Sequence, residues 1–116
     1  MKIGTIRELL NAEVLCGEDK LGAHVYSACG CDLMSDVLAY VKDQAVLLTG
    51  LVNPQVIRTA VMRDMHCIVF VRSKKPTDDL IKLAQENGIV VLSTDKRLYE
   101  ACGLLYLSGL IGSKVS

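Results

Sequence analysis

Apolar positions recur along this chain with two alternating periods. Ile6, Leu9 and Leu10 give a short apolar helix face, and Thr5 with Glu8 three residues later reads as a capping box that starts it. Glu13 to Cys16 reads as a strand stopped by Gly17, residues 18–22 as a polar turn, and Ala23 to Ala28 as a second strand. From residue 32 the pattern becomes regular. Met34, Val37, Leu38 and Val41 recur at helical spacing behind Asp32, whose carboxylate is expected to cap that helix. Ala45 to Thr49, His66 to Val71 and Ile89 to Leu92 are short continuous apolar runs, as expected of strands covered on both faces. Between them lie two amphipathic stretches. One starts at Asn53-Pro54 and buries Ile57, Ala60 and Val61. The other opens at Pro76, carries Leu80, Leu83 and Ala84, and closes at Asn87-Gly88. Thr94 or Asp95 is expected to cap a last helix with Leu98, Ala101, Cys102 and Leu105 on one face, and the tail from Gly109 to Ser116 to fray.

A regular alternation of helix and buried strand predicts a three-layer α/β/α domain with a mostly parallel central sheet and a small mixed N-terminal edge. At 116 residues the chain is read as one domain, 1–116, with neither repeat nor linker. One Phe, four Tyr and no Trp mean that the core is aliphatic, and they argue against a base-stacking nucleic-acid surface. Thirteen basic and thirteen acidic residues leave no net field for nucleic acid or membrane. Neither an apolar leader nor a membrane-length run is present in the sequence, so the expected compartment is the cytoplasm. Five cysteines without framework spacing fit free thiols there.

In open α/β sheets ligands bind beyond the carboxyl ends of the strands. Three such ends supply the candidate binding residues: Thr49, Gly50 and Asn53 after the first run, Arg72, Ser73 and Lys74 after the second, and Ser93, Thr94 and Asp95 after the third. Hydroxyls, backbone N–H groups and cationic side chains suit an anionic small molecule such as a nucleotide phosphate. Ordinary polar loops have the same composition, so this alternative stays open.

Other chemistry is thin. Cys29-Gly30-Cys31 has the wrong gap for a structural zinc pair or a dithiol redox motif and reads as a bend before a helix. A thiol or metal sensor built on these two cysteines is the alternative. His24 and His66 have no sequence-local nucleophile, and acidic pairs at 32/36 and 78/79 are explained by helix N-termini. Gly109 to Lys114 lacks phosphate-loop spacing. No catalytic set and no cofactor are expected, which leaves a small phosphotransfer-related enzyme as the weakest reading.

The segments "CDLMSDVLAYV", "AVLLTG" and "CIVFVRSKKPTDDLIKLAQENGIVVLSTD" resemble the DRTGG domain over nearly the whole chain. The Asp-Arg-Thr-Gly-Gly string itself is missing; Thr49-Gly50 and Val71-Arg72-Ser73 stand at the strand ends. The resemblance implies a fold similar to the N-terminal domain of HPr kinase/phosphorylase, without its kinase domain. It also implies a non-enzymatic regulatory module: a homodimer that responds to an adenine nucleotide or another anionic metabolite and acts on a separate effector protein. Leu104, Leu105, Tyr106, Leu107, Leu110 and Ile111 put apolar residues on more than one face of the last helix. They are expected either to form a homodimer seam or, for Leu104 and Leu107, to pack under the N-terminal strands.

Overall fold

The computed structural model describes residues 1–41 and 44–112. In chain order the elements are α1 (Ile3–Leu10), β1 (Glu13–Cys16), a 3-10 turn (Glu18–Lys20), β2 (Ser27–Gly30), α2 (Met34–Tyr40), β3 (Ala45–Thr49), α3 (Pro54–Met62), β4 (Cys67–Phe70), α4 (Asp78–Glu86), β5 (Val90–Ser93) and α5 (Leu98–Leu107). Five strands form one mixed sheet in the order β1-β5-β4-β3-β2. β2 to β5 run parallel, and β1 closes the far edge antiparallel to β5.

The continuous apolar runs are explained by this topology. Every residue of β3, β4 and β5 is buried. Alternate side chains serve opposite faces, as the pleat requires. Leu47, Ile68, Phe70 and Val91 join Val37, Ile57, Ala60 and Ala84 in one cluster under α2, α3 and α4. Val46, Leu48, Val69 and Leu92 join Ile3, Ile6, Leu10, Ala101 and Leu105 in the other, under α1 and α5. The three crossover helices share one face because the parallel strands advance across the sheet in one direction without reversing. Only after β5 does the chain return to the face that carries α1.

Several local expectations are corrected. Thr5 is not an N-cap; α1 begins at Ile3 and its cap position, Lys2, makes no side-chain cap bond. The free N–H groups of Ile3 and Gly4 instead donate to the carbonyls of Ala23 and Leu21, so a neighbouring loop does what a capping box would do. β2 starts at Ser27 rather than Ala23, because residues 23–25 pair with the N-terminus: Lys2 bridges His24, and Val25 N–H donates to Met1 O. Asp32 does not cap α2, whose N-cap is Leu33. Neither Thr94 nor Asp95 caps α5; Arg97 holds that position without a side-chain bond. Pro76 lies before α4, which Thr77 caps by accepting Leu80 N–H. Asn53 caps α3 as expected, with its side chain accepting Val56 N–H. Val61 is half-exposed, and Val56 takes its place on the buried face.

In the tail, Leu110 is buried and Gly112 bridges Ala28, so the chain is tied down that far; residues 113–116 of the segment expected to fray lie outside the described residues. Leu104 is partly buried against the α1/α5 cluster, whereas Leu107 is 85% exposed. Among the described residues no helix is long and apolar enough to cross a membrane.

Candidate functional site

Neighbouring strands β4 and β5 send their chains to opposite faces, β4 into α4 and β5 into α5. Divergence of adjacent connections opens a crevice at the carboxyl ends of the strands. Here the crevice is a cleft of about 740 Å³, walled by Asp32, Arg72, Ser73, Asp95, Arg97 and Tyr99 over a floor of Val71 and Leu98.

The loop after β4 has unusual backbone geometry. Arg72 and Ser73 both adopt positive φ, 58° and 56°, the left-handed region that side chains disfavour. Two cross-loop hydrogen bonds hold them there: Arg72 N–H donates to Lys96 O and Ser73 N–H to Thr94 O, each at 2.8 Å. Ser93 Oγ adds a third tie by donating to Lys74 O at 3.0 Å. The two strand-end loops are thereby fastened together, and Arg72 and Arg97 emerge at one opening.

Asp32 organises the end of β3. Its Oδ1 accepts from Thr49 Oγ1 and from Gly50 N–H, both at 2.8 Å. The Gly50 bond, then the Thr49 bond, with a further contribution from the Arg72 charge, hold its carboxyl below the usual aspartate value against the opposing effect of burial. The Arg72 guanidinium lies across Gly50. A Cβ at residue 50 would sit 2.6 Å from Nη2 and 3.3 Å from Cζ. Absence of a side chain at 50 is what allows this placement, since its φ is not in the positive range.

The nine candidate residues divide accordingly. Arg72, Ser73 and Asp95 line the cleft directly. Thr49 and Gly50 sit beneath it as the anchors of Asp32. Ser93 and Thr94, again with Ser73 and Asp95, line an adjoining smaller depression. The Thr94 hydroxyl is buried and donates to Leu10 O at 2.7 Å, a bond that ties β5 to α1. Asn53 is engaged at the α3 cap, and Lys74 lines neither depression. Asp32, Arg97 and Tyr99 are the cleft residues that the sequence does not announce as such. Asp32 has the local look of a helix cap, and Arg97 and Tyr99 flank the first apolar residue of α5, where periodicity marks only the buried face.

Cys29-Gly30-Cys31 proves to be a packing junction. Gly30 admits α5: a Cβ there would meet Cys102 Sγ at 2.5 Å and Leu98 Cδ1 at 3.5 Å. Cys31 Sγ accepts Leu33 N–H at 3.3 Å and so shapes the entry to α2. Burial, then the nearby thiols of Cys31 and Cys102, push the Cys29 thiol up to about 11, away from a reactive thiolate. Among the described residues no group of three His, Cys, Asp or Glu is placed to hold a metal.

Comparison with known proteins bears on the fold and the family. The family model described as the DRTGG domain matches residues 5–107. No curated protein matches the chain. Among solved structures, a similar one is the CBS and DRTGG domains of the regulatory region of Clostridium perfringens pyrophosphatase, complexed with its activator, diadenosine tetraphosphate. The match has a TM-score of 0.72 at 16% identity and covers 90% of this chain but 45% of that one, so this chain spans less than half of its solved relative.

Proposed function

The chain belongs to the DRTGG domain family, and on that footing we propose that it is a regulatory module that binds a nucleotide or a similar anionic metabolite in the β4/β5 cleft. The observation that carries this reading is the presence of two arginines, Arg72 and Arg97, in the lining of one cleft at a divergence of strand connections. Arginine's planar fork matches phosphate oxygens two at a time. Tyr99, 83% exposed at the rim, offers an aromatic face to a base. Asp32 and Asp95 supply acceptors for sugar hydroxyls. The relative's nucleotide activator is consistent with this ligand class, though it belongs to a two-domain region of which this chain resembles part.

We further infer that the module works as a homodimer acting on a separate effector protein. α5 supports the dimer: its outward residues Tyr99, Tyr106 and Leu107 are 83%, 64% and 85% exposed, and a groove of about 810 Å³ lies along them. A helix with apolar residues on every side is normally covered.

Titration with ADP followed by backbone amide NMR shifts tests the ligand reading. Saturable shifts centred on Arg72, Ser73, Arg97 and Tyr99 are expected. Saturable shifts centred elsewhere, or none with ADP, AMP or ATP, would refute it.

A further inference from the structure

At the opposite end of the sheet, below the amino ends of β4 and β5, lies a second cleft of about 440 Å³ that the strand-end reading does not use. Five stretches of chain line it: Ile3, residues 20–26, Gln44, His66 and residues 88–90. Residues 23–25 are pinned to the N-terminus by the Lys2–His24 bridge and the paired bonds between Met1 and Val25. In that extended stretch Val25 points into the core, so His24 and Tyr26 share the outer side. Their rings lie near parallel, 16° apart with centroids at 6.5 Å. Lys20 reaches across to the end of α4, where its Nζ donates to Gly88 O at 3.3 Å. His66 enters from the start of β4, its backbone carbonyl held by Val90 N–H. Asp64 Oδ1 lies 3.4 Å from His66 Nε2, which leaves the other ring nitrogen for a ligand. Buried Ile3 and Val90 form an apolar floor.

We propose that this second cleft binds a small planar aromatic ring bearing one anionic group. The ring lies against His24 and Tyr26 over the apolar floor. The anion meets the Lys20 ammonium and the Nδ1–H of the His66 imidazolium, the form in which both ring nitrogens carry a proton. Both histidines of the chain, 42 positions apart, face the same cavity as a lysine fixed by a backbone carbonyl. Isolated surface residues would show no such convergence. The volume falls within the range of ordinary small-ligand pockets, roughly 300–1,000 Å³.

The test follows the imidazole proton signals of His24 and His66 in the full chain during titration with benzoate and with phenyl phosphate. Benzamide supplies the ring without charge, and inorganic phosphate the charge without a ring. Saturable movement of both imidazoles is expected with at least one of the two aromatic anions, and which one answers distinguishes carboxylate from phosphate recognition. Benzamide and inorganic phosphate should bind at least about tenfold more weakly. Lys20→Met and Tyr26→Leu, both at exposed positions, should each weaken the aromatic anion by about tenfold, a loss of one charge-assisted contact or of the ring platform. Unmoved imidazoles, equal binding of either control, or unchanged affinity in both variants would overturn the proposal. So would shifts confined to the Arg72 and Arg97 amides, which would assign the probe to the opposite cleft.

Discussion

The carboxylate of Asp32 links α2's approach to the end of β3, and its pH dependence follows from those bonds. Its folded-state pKa is depressed, so its contribution to stability is present above the ordinary aspartate value of 3.8 and is lost as the pH falls through the lower folded value. Asp32→Asn should therefore melt below the wild type at neutral pH, and the gap should narrow as the pH falls below that ordinary value. A gap that persists unchanged at pH 3 would contradict this assignment. Gly50→Ala is expected to leave the fold intact, because the atoms it meets belong to the far end of the long Arg72 side chain, yet to weaken ligand binding by displacing the guanidinium. Ser73→Gly should stabilise by up to about 1 kcal/mol in denaturant melts, since glycine occupies positive φ without strain.

Helices and strands are largely legible in the sequence; their ends are less so. The β3 run from Ala45 to Thr49 is legible to the residue, because an unbroken apolar run this short, stopped by glycine, fits a strand buried on both faces. Asn53-Pro54 is legible because cap and proline agree. Thr5, Asp32 and Thr94 mislead for one reason: a hydroxyl or carboxylate near a helix start fits a cap locally, while in the fold the helix N–H groups or the side chain find tertiary partners. That difference is measurable. Asn53→Ala should cost about 1 kcal/mol, the usual loss for a true N-cap, and Asp95→Ala should stay within about 0.5 kcal/mol. At the far end of the chain, α5 is expected to hold the dimer seam. Leu107→Lys should shift the chain from dimer to monomer in light scattering without lowering the monomer's helicity, whereas a wild type that is already monomeric at high concentration would remove the seam.

Across the assembled domain, the site is only half legible in the sequence. Strand-end loops follow from the alternation of elements, so Arg72, Ser73 and Asp95 are within reach of sequence reasoning. Which ends face one another depends on where the chain changes faces, and that switch, after β5, brings Arg97 and Tyr99 into the cleft. No periodicity in the sequence encodes it. The proposed regulatory role rests on the cleft binding an anionic nucleotide through both arginines. The decisive experiment is thermal melting of the wild type and of the Arg72→Ala/Arg97→Ala double variant, each with AMP, ADP, ATP, diadenosine tetraphosphate or NAD. A ligand at about 100 times its dissociation constant adds about 2.7 kcal/mol, a rise on the order of 10 °C for a domain of this size. Such a rise is expected for at least one nucleotide in the wild type, and its loss in the double variant. A wild type that responds to none of the five, or a double variant that responds as strongly, would rule out nucleotide binding by the arginine pair.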